Sequence, residues 1–379
     1  MVTRNKIQIY NSLVPMSLVY GVGTKFRNML YDQQWIVSKS YPLPVICVGN
    51  LAVGGTGKTP HTEYLIELLQ SKGLQVATLS RGYKRHTKGY LKATPQSTAQ
   101  AIGDEPWQLL HNHPGITVAV DEDRCHGIEQ LVLVQPKVDA IILDDAFQHR
   151  AVKAGLNILL TDYHRLYTRD MLLPAGRLRE SKAGAKRAHI VVVTKCPSDL
   201  SEAEAQEIKA ELNLLPHQQL YFSTITYGAP QPVFAEPQHM RNNSYDTTSF
   251  DASCHLLAVT GIAHPEPMTA YLKTLTPHVE LLAYPDHHDF TASDLQQMQQ
   301  KFAQLPPRSI IITTQKDAAR LQSFSSQLDN TFKQHLYALP INIKLLFGQE
   351  GAFNQSILKF VDGGNVTPNS AKSRSSITS

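Results

Sequence analysis

The stretch ICVGNLAVGGTGKTP, residues 46–60, sets the fold class. Before and within it, the apolar run Val45–Val48 reads as a buried strand; after it, His61–Gln70 has a helical pattern. Between them lies a glycine-rich turn. Glycines let backbone N–H groups turn inward around phosphate oxygens, and the N-terminus of the following helix adds a favourable dipole. Gly54, Gly55, Thr56, Gly57, Lys58 and Thr59 are therefore the candidate phosphate cradle. In such a loop the lysine reaches the β- and γ-phosphates and the threonine hydroxyl ligates Mg²⁺. The usual pattern has a glycine where this chain has Ala52. A chance Gly-rich turn would share the composition, but it would lack the strand before, the helix after and the acidic strand that follows later.

The 379 residues suffice for about two domains. The chain is 42% hydrophobic and 18% charged, as in a soluble globular protein. A net charge of +4 is too slight to argue for nucleic acid, and no RNA-binding signature occurs. Cys47, Cys125, Cys196 and Cys254 form no C-x-x-C pair, which argues against a zinc site and a disulfide framework and suits a reducing compartment.

Ile7–Thr24 holds no Asp, Glu, Lys or Arg, close to the shortest length for a membrane span. Its Gln8, Asn11, Ser12, Pro15 and Ser17 make it too polar to cross, and it lacks the pattern of a signal peptide. The segment 12–37 mixes Leu18, Val19, Phe26, Met29 and Trp35 with Lys25 and Arg27. Such a helix could lie in a membrane interface or pack on the protein's own core.

Residues 45–200 alternate apolar strands with helical patterns, as a parallel α/β sheet requires. Expected strands are Val45–Val48, Val76–Leu79, Thr117–Val120, Ala140–Leu143, Leu156–Leu160 and Ile190–Val193, followed by a surface helix at Glu202–Leu212. A second α/β stretch, without a phosphate loop, begins at His255. The expected division is 1–40, an N-terminal helix; 41–222, the phosphate-loop domain; 223–253, a linker; 254–362, a smaller α/β domain; and 363–379, a disordered tail.

VDAIILDD, residues 138–145, is an apolar strand ending in two aspartates. Beside a phosphate loop, such a strand supplies a carboxylate for Mg²⁺, which makes Asp144 and Asp145 metal candidates. Guanine-specific enzymes carry [NT]-K-x-D after a late strand. Here Thr194-Lys195-Cys196-Pro197 puts proline in place of the aspartate, so ATP is the expected nucleotide.

On the acceptor side, Gly103-Asp104-Glu105-Pro106 precedes the helical run Trp107–His111. Asp and Glu at a helix start can be simple capping and dipole residues. Alternatively Asp104 is a general base and Glu105 a metal-associated carboxylate. Asp286-His287-His288-Asp289 is either a polar turn or the source of an imidazole that orients Asp104. Arginines in SRGYKR (80–85), at Asp123-Arg124 and in PAGRLRE (174–180) follow strands or loops on the ligand side and could clamp phosphates.

GGTGKTP, SRGYKR, GDEP, DDAFQH (144–149), PAGRLRE and PDHHDF occur in this order between residues 54 and 290. The set resembles tetraacyldisaccharide 4′-kinase, the lipid A 4′-kinase of Gram-negative bacteria, over nearly the whole chain. That resemblance implies Mg²⁺-dependent transfer of the ATP γ-phosphoryl to the 4′-hydroxyl of a tetraacylated glucosamine disaccharide 1-phosphate, at the cytoplasmic face of the inner membrane. It implies nucleotide and Mg²⁺ roles for Lys58 and Thr59, metal roles for Glu105, Asp144 and Asp145, and a catalytic dyad of Asp104 with His287. Arg81, Arg124, His149 and Arg179 match positions lining the nucleotide and substrate side. Two departures stand out: Ala146 replaces the glycine of DDGFQ, and TTQKDAARL (313–321) puts Gln315 in the family's T-x-K-D-A segment.

With an acylated acceptor, the N-terminal helix gains a reason to lie on the membrane, and neither nucleic acid nor an obligate protein partner is expected. A nucleotide-switched, membrane-associated ATPase that docks a protein partner would account equally well for the loop, the acidic strand and the helix. It gives no reason for Asp104 and His287 to matter together.

Overall fold

The computed structural model describes residues 9–134, 136–234, 253–286 and 288–364. His287, most of the expected 223–253 linker and the expected tail from residue 365 onward lie outside the described residues. The chain forms two compact units. The first comprises Met1–Ser97, Leu109–Ile225 and Ile343–Ser379; the second comprises Thr98–Gln108 and Thr226–Asn342.

In chain order the strands are β1 (Val45–Asn50), β2 (Val76–Ser80), β3 (Leu91–Lys92) and β4 (Thr117–Val120), then β5 (Ala140–Asp144), β6 (Leu156–Asp162), β7 (Ile190–Thr194) and β8 (Gln219–Tyr227). There follow β9 (Gln231–Pro232), β10 (His255–Thr260), β11 (His278–Ala283), β12 (Ser309–Thr314), β13 (Leu336–Leu339) and β14 (Ile341–Leu345). The larger sheet has the order β14-β8-β7-β6-β1-β5-β2-β4-β3. Its central strand β1 runs parallel to β5 and β6, with Val48 opposite Asp144. Every residue of β1, β2, β5 and β7 is buried, the mark of a parallel sheet covered on both faces. That is why these strands read as unbroken apolar runs. The second sheet has the order β11-β10-β12-β13-β9, with β10 parallel to both β11 and β12.

The division differs from the sequence reading at three places, the first being that the expected 223–253 linker holds the end of β8 and all of β9. The last helix, Glu350–Gly364, belongs to the first unit, not to the 254–362 domain. Phe353, Ile357 and Val361 recur every fourth residue and are buried, and the Phe353 ring meets Tyr64 and Tyr221 edge-on at 5.9 and 5.1 Å. The periodicity shows that this face is buried, but not which sheet receives it. Residues 98–108 likewise belong to the second unit rather than the first.

The N-terminal helix, Val14–Asp32, presents an unusual face to its own unit. Ser17 is buried; it donates to the Leu172 carbonyl at 2.9 Å and accepts from Ala175 N–H at 2.9 Å. Tyr20 donates to the Arg179 carbonyl at 2.7 Å, and Asn28 to Glu180 at 3.0 Å. Gly21 makes room here, since a Cβ would stand 2.7 Å from Leu172 Cδ1. The apolar residues turn outward instead: Val19 is 75% and Val22 69% exposed, with Leu18 and Phe26 exposed beside them. A helix packed on its own core normally has the opposite polarity. No described helix is long and apolar enough to cross a membrane.

Candidate active site

In the first unit β1 ends at Asn50 and leads into the loop; the helix Lys58–Gln70 starts immediately after Gly57. Gly57 has φ +82°, a conformation a side chain would strain, and it lets the helix start turn sharply out of the loop. Ala52 causes no such conflict. It is not among the residues with positive φ, and it pairs with Leu178 in an antiparallel bridge, so a methyl group is compatible there. The loop is held by Asn50, whose Nδ2 donates to Thr56 Oγ1 at 2.7 Å, and by Thr194, whose hydroxyl donates to the Thr56 carbonyl at 2.9 Å.

Of the expected residues, Lys58 and Arg179 meet at Asp145, which itself has φ +50° just beyond β5. Lys58 Nζ lies 3.8 Å from Asp145 Oδ1. Arg179 grips the same carboxylate with two donors, at 2.6 and 3.1 Å, and also bonds to Asn50. Burial alone would raise the Asp145 carboxyl, but Lys58, then Arg179 and Arg124, outweigh it and hold it below the usual carboxylate range. Asp144 is buried, and Thr62 Oγ1 donates to it at 3.4 Å. Ala146 is buried without a positive φ; the left-handed residue of the turn is Asp145, so the missing glycine costs the turn nothing.

Asp144, Asp145 and the Thr59 hydroxyl are oxygen donors of the type Mg²⁺ prefers, and one of the carboxylates is held ionised by its surroundings, so these residues suit that ion. Glu105 does not belong to this unit. Among the described residues, Asp123, Cys125 and His149 are the group whose ligand atoms lie within 4.8 Å of one another. Asp123 is already the cap of the helix Arg124–Val132, accepting from Cys125 and His126 N–H.

Arg124 is 5% exposed and donates to the Asp121 and Glu122 carbonyls at 3.2 and 3.0 Å, while its Nε is buried without a hydrogen-bond partner. Burial, followed by the neighbouring Arg81, lowers its pKa. Burial and then Arg124 likewise lower the His149 imidazole, whose Nε2 is buried and unbonded. Arg81 itself is exposed.

In the second unit Asp104 is the first residue of the helix Asp104–Asn112, after Gly103 at φ +97°. Arg320 donates to Asp104 Oδ2 from Nε at 3.1 Å and from Nη2 at 2.5 Å. Lys316, one helical turn before Arg320, has its pKa lowered chiefly by burial, against the opposing pull of Glu105. His288 is occupied: its Nε2 meets Asp294 Oδ2 at 2.9 Å and its ring stacks on Tyr284. The expected dyad partner His287 lies outside the described residues.

Four residues escaped the sequence reading. Lys195, read only for base specificity, donates to the Gly55 carbonyl and pairs with Asp162 at 2.9 Å, bracing the loop. Arg320 and Lys316 lie in TTQKDAARL, where only a family likeness was noted. His61, buried at the helix start, meets the Gly57 carbonyl at 2.7 Å and Ser223 Oγ at 3.0 Å. Burial pushes His61 down to about 4, whereas the unfolded imidazole titrates near about 6.5. The unfolded chain therefore takes up a proton first, and the fold loses on the order of 3 kcal/mol as pH falls through that window. His61→Asn should flatten this dependence; denaturant unfolding at about pH 7 and about pH 4.5 tests it, and equal losses in both proteins would refute it.

A predominantly parallel sheet whose central strand enters a glycine-rich loop and helix, beside a strand ending in aspartates, defines a phosphate-loop nucleotide-binding protein. The family model for tetraacyldisaccharide-1-P 4′-kinase matches residues 9–362, and the chain belongs to that family. Tetraacyldisaccharide 4′-kinase of Bacteroides thetaiotaomicron is 51% identical over 359 residues, 94% of each chain. That of Porphyromonas gingivalis W83 is 43% identical over 352 residues, 91% of this chain and 96% of its own. Among solved structures, LpxK from Aquifex aeolicus in complex with ATP is similar at a TM-score of 0.67 and 29% identity, covering 92% of this chain and 98% of that one.

Proposed function

We propose that this protein transfers the γ-phosphoryl group of ATP to the 4′-hydroxyl of tetraacyldisaccharide 1-phosphate, a step of lipid A biosynthesis that yields lipid IVA. The observation that carries the reading is Lys58 beside Asp145, in a phosphate loop of a chain of this family. Phosphoryl transfer depends mainly on positioning and charge neutralisation. Gly54–Thr59 cradle the phosphates, and Lys58 binds the β- and γ-oxygens. Thr59, Asp144 and Asp145 would hold Mg²⁺, which would offset the negative charge of the phosphates. Arg179 fixes Asp145 and, with Arg81, Arg124 and His149, serves the substrate side. Asp104 takes the proton of the attacking hydroxyl, and His287 orients it. Glu105 is the metal-associated acid of this reading, and its carboxylate also acts on the Lys316 ammonium.

Incubation with γ-labelled ATP, Mg²⁺ and detergent-dispersed acceptor should place the label in the lipid. Labelled inorganic phosphate with unlabelled lipid would overturn the reading.

The chain acts at the cytoplasmic face of the inner membrane, where ATP is present and its acylated acceptor is anchored. The outward apolar face of the helix Val14–Asp32 supports this, because a helix with Leu18, Val19, Val22 and Phe26 exposed can bury them at headgroup depth. Each such side chain contributes about 1.5–3 kcal/mol when buried. Val22→Glu with Phe26→Glu should therefore weaken binding to anionic vesicles by at least about tenfold. Co-sedimentation measures this, and undiminished binding would remove the helix from membrane contact.

A further inference from the structure

We propose that Arg320 is the positioning residue for Asp104: it occupies one carboxylate oxygen and so presents the other to the acceptor hydroxyl. The inference rests on the kinase reading above and adds a group to its proton-transfer step.

Arg320 Nε and Nη2 both donate to the same atom, Asp104 Oδ2, at 3.1 and 2.5 Å. No hydrogen bond to Oδ1 is found among the described residues. A guanidinium is planar and holds its donors in a fixed fork, so two bonds to one oxygen fix the rotation of a short aspartate side chain. Asp104 is also tied at its backbone, because it opens a helix directly after Gly103.

Arg320 is itself held from behind. Its Nη1 lies 3.7 Å from Asp317 Oδ1 and donates to the His288 carbonyl at 3.4 Å. Asp317 is 0% exposed and cannot swing away. Its Oδ2 accepts from Gly261 N–H at 2.9 Å and from the Thr314 hydroxyl at 2.8 Å, while its own N–H donates to Thr314 Oγ1 at 3.0 Å. Its Oδ1 is buried with no hydrogen bond, so the Arg320 charge is what compensates it. A buried carboxylate left without a cation is costly. The order of support therefore runs from β10 and β12, through Asp317 and Arg320, to Asp104.

In the reaction Asp104 Oδ1 accepts the hydroxyl proton as the new oxygen–phosphorus bond forms and the β–γ bridging bond breaks, releasing ADP. A base left free to rotate loses its near-attack geometry, and misplacement by about 1 Å can cost on the order of 10²-fold in rate.

A double-mutant cycle tests this on the full-length protein with a detergent-dispersed acceptor. Arg320→Ala should lower kcat by roughly 10²-fold with the KM for ATP unchanged, and added guanidinium should restore part of it. Arg320→Lys, which keeps the charge but not the fork, should fall between the two and keeps the test usable if the alanine variant unfolds. In an Asp104→Ala background, Arg320→Ala should cost nothing further, because the arginine acts through a group already absent. Wild-type kcat in either single Arg320 variant, or a full additional loss in the double variant, overturns the proposal. Absence of lipid phosphorylation by wild type would instead overturn the kinase reading.

Discussion

Lys58→Ala should reduce phosphate transfer by at least about 10²–10³-fold, the usual cost of removing one preorganised charge from a transition state. The lysine side chain is only 12% exposed and already lies 3.8 Å from Asp145 Oδ1. Its cation is therefore held in place by the protein itself. In the variant Asp145 keeps Arg179 but loses the largest of the influences that hold it ionised against burial. Nucleotide affinity and Mg²⁺ dependence should both deteriorate, and Thr59→Ala should share the Mg²⁺ defect. Lys58→Arg should rescue poorly, since a planar fork does not replace a compact ammonium in a loop shaped around it. Steady-state kinetics over a range of ATP and Mg²⁺ measure these effects. Turnover within a few fold of wild type would exclude Lys58 from charge neutralisation.

Asp104→Asn should cut kcat by about 10²–10⁴-fold, the range for loss of a general base. The change is nearly isosteric, and the amide oxygen can still accept from Arg320, so the local structure should persist. ATP binding should also persist, because Asp104 belongs to the second unit while the phosphate loop belongs to the first. The expected signature is a large fall in kcat with an unchanged nucleotide dissociation constant. His287→Ala should behave alike if it orients the base. A near-normal rate in the Asp104 variant would leave the family's acidic pair with a capping role only.

Much of the first unit was legible because its signals are local. Fully buried parallel strands read as apolar runs, and the expected Val76–Leu79, Ile190–Val193 and Glu202–Leu212 match the observed elements to within a residue. The loop residues were legible because their spacing carries the chemistry. The less visible contacts are distant in sequence. Arg320 meets Asp104 across 216 positions, and Lys195 reaches Gly55 across 140. A charged residue in a helix or turn reads as solvated surface until the fold supplies its partner. The helix Glu350–Gly364 was placed in the wrong unit because the 254–362 bound followed chain order, and nothing local says which sheet receives its buried face.

The inverted polarity of Val14–Asp32 was legible only in part. Its composition left open a membrane face or a core face. In the fold Ser17, Tyr20, Arg27 and Asn28 bond to the protein while Leu18, Val19, Val22 and Phe26 are exposed. Polar side chains at those positions look ordinary in sequence, and their partners lie 121 to 159 residues away.

The γ-phosphoryl group is expected on the lipid acceptor. Phosphorus NMR of the lipid after complete reaction with ATP and Mg²⁺ tests this most directly. One new phosphomonoester is expected at the 4′-oxygen of the disaccharide, equimolar with ADP and absent with the Asp104→Ala variant. ADP and inorganic phosphate accumulating beside an unchanged disaccharide 1-phosphate would contradict it, and would identify a hydrolase that uses the same loop for another purpose.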